Sequence, residues 1–223
     1  MNTTTTNPFW DRHAAGYAKS PIKDEASYQH KLKLTQEHLR PDMEVMEFAC
    51  GTGSTALIHA PFVKHIRATD ISQKMIEIAR QKAADAGVTN ITFETADIQD
   101  LALEPESLDV VMGHSILHLL PNKEQAIQQI HRALKPGGLF ISSTMCCADA
   151  IPWFRPIGWL GRQFGLLPLI RFFTAEELQD SITSAGYENE VAWQPSKKKS
   201  QFVVARKKRL SMISECLVIS GAV

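Results

Sequence analysis

The chain has 223 residues, 44% of them hydrophobic, and its 24 Lys plus Arg balance 24 Asp plus Glu. That length carries one domain with a sizeable core, and the even charge balance argues against the electrostatic footprint of a nucleic-acid binder. No N-terminal apolar run reads as a signal peptide, and no stretch of about 18 apolar residues reads as a membrane span.

Residues 1–7 are polar and Thr-rich and read as a frayed end. From Pro8 to Ser20 the spacing suits a helix with Phe9, Trp10, His13 and Tyr17 on one face. Asp24 to Leu39 reads as a second helix, closed by Arg40-Pro41. A strand over about 43–48 then runs into Ala49-Cys50-Gly51-Thr52-Gly53, a small-residue turn that opens a short helix over 53–60. Gly51 and Gly53 let backbone approach a ligand, and the helix start aims free N–H groups at it. Gly51 to Ala56 also fits the dinucleotide pattern GxGxxG/A. A second strand ends at Asp70, Ser72 caps a helix that stops at Gly87, and a third strand over 90–95 leads to Asp97. Acids thus recur at the carboxyl ends of successive strands, where open α/β sheets place their ligands. A fourth strand starts at Leu108 and flows into Gly113-His114-Ser115. Asn122 with Gln125 suits a capping box for a helix that ends before Pro136-Gly137-Gly138, and strand five spans Leu139 to Thr144.

Residues 146–173, rich in aromatics, Gly and Pro, are too long for an ordinary connection. Three readings fit them: a lid over an apolar pocket, a membrane-surface or partner contact mixing Trp153, Trp159 and Phe164 with Arg155, Arg162 and Arg171, or plain core packing. Thr174 with Glu177 is a capping box for a helix to about Gly186. Strands at about 188–194 and 201–206 follow, joined by a Lys-rich turn that protects a sheet edge. The segment 208–223 reads as a tail, either disordered or an extra edge strand. The alternation predicts an α/β, doubly wound, Rossmann-like fold: a seven-stranded, mostly parallel sheet with an antiparallel C-terminal hairpin and helices on both faces. Cys50, Cys146, Cys147 and Cys216 show no CxxC or zinc-ligand spacing, and adjacent cysteines bridge poorly; reduced thiols in a cytoplasm are expected, with no metal site.

The set of motifs resembles the class I S-adenosylmethionine-dependent methyltransferases. Glu47-Phe-Ala-Cys-Gly-Thr-Gly53 is similar to their first motif, and Asp70, Ala96-Asp97-Ile98, Leu108 to Met112, Ala133 to Gly138 and Phe173 to Leu178 with Ala185-Gly186-Tyr187 agree with later ones. The resemblance covers roughly residues 40–207, and Ala49 stands where the family usually has its first glycine. It implies a core over 41–207 and an N-terminal helical segment, 1–40, that covers the site. It implies S-adenosyl-L-methionine as cofactor: Glu47, Ala49, Gly51 and Gly53 at the methionine end, Asp70 on the ribose hydroxyls, and Asp97 and Ile98 around the adenine. His114 would line the cofactor near the sulfur; Ile71, Met75 and Tyr17 complete the expected set, and Tyr28 could touch cofactor or acceptor.

Methyl transfer is an in-line displacement in which protein mainly aligns the reactants and excludes water. Where the acceptor needs a base, His114 and His118 are the candidates, one turn apart if that segment is helical; packing is the alternative. Gly113-His114-Ser115-Ile116 differs from the Asn/Asp-Pro-Pro-aromatic motif of amino-methylating nucleic-acid enzymes. A small-molecule acceptor, lipophilic if the lid reading holds, is therefore expected. The competing readings are a nicotinamide-dependent oxidoreductase, disfavoured by Glu47, Asp97 and the hairpin, and a non-enzymatic cofactor-binding regulator.

Overall fold

The computed structural model describes residues 8–209. Seven strands form one sheet: β1 (Glu44–Phe48), β2 (His65–Asp70), β3 (Ile91–Thr95), β4 (Leu108–His114), β5 (Leu134–Thr144), β6 (Tyr187–Trp193) and β7 (Gln201–Lys207). Their order is β3-β2-β1-β4-β5-β7-β6. Strands β1 to β5 pair in parallel, and β7 runs antiparallel between β5 and β6. The expected fold class is thus present, with the order reversing between β1 and β4. Such a switch point opens a crevice at the carboxyl ends of the strands.

Alternation along each strand sends side chains to two apolar layers. One layer packs Val45, Ile66, Met112 and Ile141 against α3 (Ser54–His59) and α4 (Gln73–Asp85), with Leu34 of α2 (Glu25–Gln36) alongside. The other packs Met46, Val111, Phe140 and Val203 against α5 (Lys123–Ala133) and α8 (Ala175–Ser184). Helix starts follow the caps: Asp24, Ser72, Asn122 and Thr174 side chains each accept a backbone N–H of the first turn, and Thr174–Glu177 forms the full reciprocal box.

Several boundaries differ from the sequence reading. Strand β5 begins five residues early, at Leu134, and carries Pro136-Gly137-Gly138 inside it. The ladder with β4 shifts register between Leu108 and Val110, and Gly137 takes φ 82°, so the Pro-Gly-Gly step is a bulge rather than a stop. The segment 146–173 holds α6 (Cys147–Ala150), a 3-10 turn at Pro152–Phe154 and α7 (Arg155–Gln163). The Lys-rich turn is not wholly solvated: Lys199 Nζ reaches Asp24 Oδ2 at 2.7 Å, fastening the hairpin to the start of α2. Cys50, Cys146 and Cys147 are free and buried, and burial pushes all three thiols up. The expectations for residues 1–7, Cys216 and most of the 208–223 tail lie outside the described residues.

Candidate active site

The loop after β1 holds three left-handed residues within five positions: Ala49 (φ 53°), Gly51 (φ 56°) and Gly53 (φ 73°). Gly53 must be glycine twice over. It is the left-handed N-cap of α3, and a Cβ there would lie 2.8 Å from Ala79 Cβ and 2.9 Å from Phe93 Cε1. Ala49 holds the same backbone sign with a methyl group, at a steric cost of roughly 1–2 kcal/mol.

Two acids flank this loop. Asp70, at the end of β2, accepts the Gly51 N–H at Oδ2 and the Ser72 N–H at Oδ1, both at 2.9 Å. Burial raises its pKa, and the two N–H bonds oppose that rise. Each oxygen keeps further acceptor capacity. Glu47, on β1, is 2% exposed, and its Oε2 has no hydrogen-bond partner among the described residues. Burial, reinforced by the Asp70 charge, pushes its carboxyl up to about 8. An orphaned buried carboxyl is costly unless a partner arrives.

The N-terminal helix α1 (Pro8–Lys19) lies against this region. Asp11 accepts the Ser72 hydroxyl at 2.6 Å and the Lys74 N–H at 3.3 Å, tying α1 to the start of α4. Tyr17 Cε1 would stand 3.5 Å from a Cβ on Gly51, and its phenol is raised by burial, then by Asp70 and Glu47. Tyr28 on α2 also feels Glu47 and is held by Thr55.

A cavity of about 270 Å³ continues from the loop toward β3, lined among others by Phe48, Ala49, Ile71, Asp97 and Ile98. Phe9 and Trp10 of α1 and Arg162, Pro168 and Leu169 of the 146–173 segment also line it. Gly113 makes room for its floor: a Cβ there would sit 2.3 Å from Phe48 Cζ. Asp97 Oδ1 accepts the Gln99 N–H at 3.0 Å. Of the expected cofactor residues, Ala49, Ile71, Asp97 and Ile98 line this cavity, whereas Glu47, Gly51, Gly53, Asp70 and Tyr17 cluster at the adjoining loop and His114, at the end of β4, lines neither. Met75 does not line it; it is 3% exposed in the first turn of α4, its N–H on Ser72 Oγ. The sequence gives no sign of Asp11's role, because its partners Ser72 and Lys74 lie more than sixty positions away.

The two histidines stand apart in kind. His114 ends β4, whereas His118 sits in a 3-10 turn, Leu117–Leu119, so they share no helix face. His114 Nε2 and His118 Nδ1 are buried without partners. Desolvation holds His114 down to about 3, helped by His59 and Lys31, and His118 down to about 4. Both rings are neutral at pH 7. Among the described residues, no group of three or more His, Cys, Asp or Glu is placed to hold a metal ion. No helix there is long and apolar enough to cross a membrane.

Residues 39–207 match the family described as the methyltransferase domain. The chain belongs to that family, in its class I S-adenosylmethionine-dependent form. It is 30% identical over 154 residues to a demethylmenaquinone methyltransferase of Symbiobacterium thermophilum, a match covering 66% of this chain and 59% of that protein. It is 28% identical over 138 residues to a malonyl-[acyl-carrier protein] O-methyltransferase of Priestia megaterium, covering 60% and 49%. The matches thus span about half the length of these curated relatives. The solved S-adenosylmethionine-dependent methyltransferase of Mesorhizobium loti superposes with a TM-score of 0.66 at 22% identity, over 82% of this chain and 99% of that one, a likeness of fold.

Proposed function

We propose that this chain is a methyltransferase that uses S-adenosyl-L-methionine and acts on a small molecule with a lipophilic part. The observation that carries the reading is the pair of acids around the left-handed loop: Glu47 with an orphaned oxygen and Asp70 braced by two backbone N–H groups. The residues suit the cofactor. Glu47 would take its α-ammonium, the one cation that repays a carboxylate held at about 8. Asp70 would accept the ribose hydroxyls with its remaining lone pairs. Asp97 and Ile98 would frame the adenine in the apolar cavity, with Phe48 beneath and Trp10 above.

When bound, the cofactor supplies an activated methyl group and its own leaving group. The chain then has to align and dry the reactants. Helix α1 and the 146–173 segment, which both line the cavity, would exclude water from the bound cofactor. His114 and His118 are free to accept a proton, but burial makes both weak bases. If His118 is a base, His118→Ala lowers transfer and leaves cofactor affinity unchanged; equal losses in both would sink that role. A lipophilic acceptor is supported by the similarity to a relative named a demethylmenaquinone methyltransferase. The outer side of α7 adds to this: Ile157, Leu160 and Phe164 are exposed at helical spacing. The test is calorimetric titration with S-adenosylhomocysteine against wild type and Asp70→Ala. Binding lost in the variant supports the reading; equal binding in both, or none in wild type, refutes it.

A further inference from the structure

Of the nine large apolar side chains exposed among the described residues, six lie between Trp153 and Leu166, so exposed apolar surface concentrates on one segment. Trp153, Ile157, Leu160 and Phe164 follow one another at intervals of four, three and four residues, which sets them on one face of a helix. Trp153 belongs to the 3-10 turn that leads into α7, and Phe164 is the residue that ends it. Exposure is high at both ends of the stripe, 67% at Trp153 and 71% at Phe164.

The other side of α7 is turned to the protein. Arg155, Gly158, Trp159 and Arg162 line a second cavity, of about 840 Å³, whose lining also includes Lys123 of α5 and Glu177 of α8. Gly158 is the buried position of the helix, and a Cβ there would stand 3.7 Å from Phe154 Cδ1 and 3.9 Å from Phe172 Cε2. Past α7, the Leu166 and Leu167 N–H groups return to the Gly161 carbonyl at 2.9 and 3.2 Å, and the Arg171 N–H donates to the His118 carbonyl at 2.7 Å. The inner face is thus anchored. A surface helix ordinarily turns its apolar stripe to the core, and α7 turns it outward.

Charge narrows what the stripe fits. Residues 150–173 hold Arg155, Arg162 and Arg171 and no Asp or Glu, in a chain whose charges balance as a whole. The Arg171 side chain donates to the Pro121 carbonyl. Arg155 and Arg162 have no hydrogen-bond or ion-pair partner among the described residues. Of the acids across the cavity, Glu124 pairs with Lys123 and Glu177 accepts the Thr174 N–H at 2.8 Å; Asp180 is the third. A second copy docked stripe to stripe would bring arginine toward arginine, with no acid in the segment to answer it. The four stripe residues line neither cavity, so they offer a peptide a ridge and not a groove. Trp, Leu and Phe on one face with Arg on the other is the pattern of a helix that lies in a membrane surface.

We propose that the Trp153–Phe164 face docks on an anionic lipid bilayer. The stripe enters the boundary between headgroups and acyl chains, about 5–10 Å deep, and the helix diameter of about 10–12 Å leaves Arg155 and Arg162 level with the lipid phosphates. Arg162 lines both cavities, so the docked helix adjoins the candidate active site. Docking needs neither cofactor nor acceptor and stands or falls apart from the catalytic reading.

The experiment sediments the full chain with vesicles of phosphatidylcholine alone, or of an equal mixture with phosphatidylglycerol, at low and high salt. Three variants accompany wild type: Ile157→Gln with Leu160→Gln and Phe164→Gln; Arg155→Gln; and Ile22→Gln with Phe62→Gln, which removes exposed apolar side chains elsewhere. Thermal midpoints confirm that each folds, and Phe164→Gln alone replaces the triple variant if its midpoint falls. Wild type and the Ile22/Phe62 variant should bind the mixed vesicles equally, and more weakly as salt rises. The stripe variant should lose about tenfold or more, and Arg155→Gln about fivefold. Four results overturn the proposal: no sedimentation of wild type with the mixed vesicles, equal binding to the neutral ones, equal binding by the stripe variant, or a loss as large in the Ile22/Phe62 variant. Light scattering adds a fifth, a wild-type dimer that the stripe variant breaks, which would give the face to a second copy.

Discussion

The Gly51 N–H donates to Asp70 Oδ2 at 2.9 Å, so the loop after β1 and the acid at the end of β2 hold each other in place. One carboxylate thereby shapes the backbone cradle and stays available to a ligand through its remaining lone pairs.

Removing that carboxylate should cost both stability and binding. Asp70→Ala leaves the Gly51 and Ser72 N–H groups without their acceptor, a loss of about 1–3 kcal/mol offset in part by relief from burying a charge. Chemical denaturation should show a lower midpoint, and S-adenosylhomocysteine binding should fall at least about tenfold. Unchanged affinity would mean that Asp70 serves the loop alone.

Ala49→Gly should stabilise the ligand-free protein, by up to about 1 kcal/mol. The left-handed φ of 53° penalises a Cβ, and glycine returns part of the gain as unfolded-state entropy. Equilibrium denaturation checks the sign, and a lower midpoint would show that the methyl contact with the apolar layer outweighs the strain.

Gly53→Ala should be far less tolerated. Strain at φ 73° combines with a Cβ 2.8 Å from Ala79 Cβ and 2.9 Å from Phe93 Cε1, neither on a flexible side chain. The expected loss is about 2–4 kcal/mol, read from denaturation midpoints. A loss under about 1 kcal/mol would show that α3 and α4 can part without penalty.

Glu47 should make cofactor binding release a proton. Its carboxyl titrates at about 8 when buried beside Asp70, and an arriving ammonium favours the ionised form. Affinity for S-adenosylhomocysteine should therefore rise with pH from about 6 to 8. Calorimetry near pH 7 in buffers of different ionisation enthalpy should report close to one proton released, and Glu47→Gln should abolish it. For the ligand-free fold the sign is opposite. The folded state binds this proton more tightly than the unfolded one, so this group makes stability fall as pH rises from about 4.5 to 8. A wild type with pH-independent affinity would contradict the role.

Periodicity and punctuation in the sequence expose much of the fold: Ser72, Asn122 and Thr174 mark helix starts, and acids at 47, 70 and 97 fall at or near strand ends. The Gly51-Thr52-Gly53 turn was legible because few residues adopt those backbone angles. What stayed hidden depends on distant pairing. Pro136-Gly137-Gly138 reads as a breaker in isolation, yet the β4 ladder draws it into β5 as a bulge. His114 and His118 fit a helical spacing that the strand end and the 3-10 turn do not provide. Lys31 sits in an ordinary charged helix pattern, and its contact with Ser143, 112 residues away, leaves no local trace.

The cofactor is tested most directly by the thermal midpoint of wild type and Asp70→Ala, each with excess S-adenosylmethionine, S-adenosylhomocysteine or NAD. A ligand at 100 times its dissociation constant stabilises the fold by about 2.7 kcal/mol. The expected result is a clear upward shift with the two sulfur nucleosides alone, absent in Asp70→Ala. A shift with NAD alone, or an undiminished shift in the variant, would contradict the assignment.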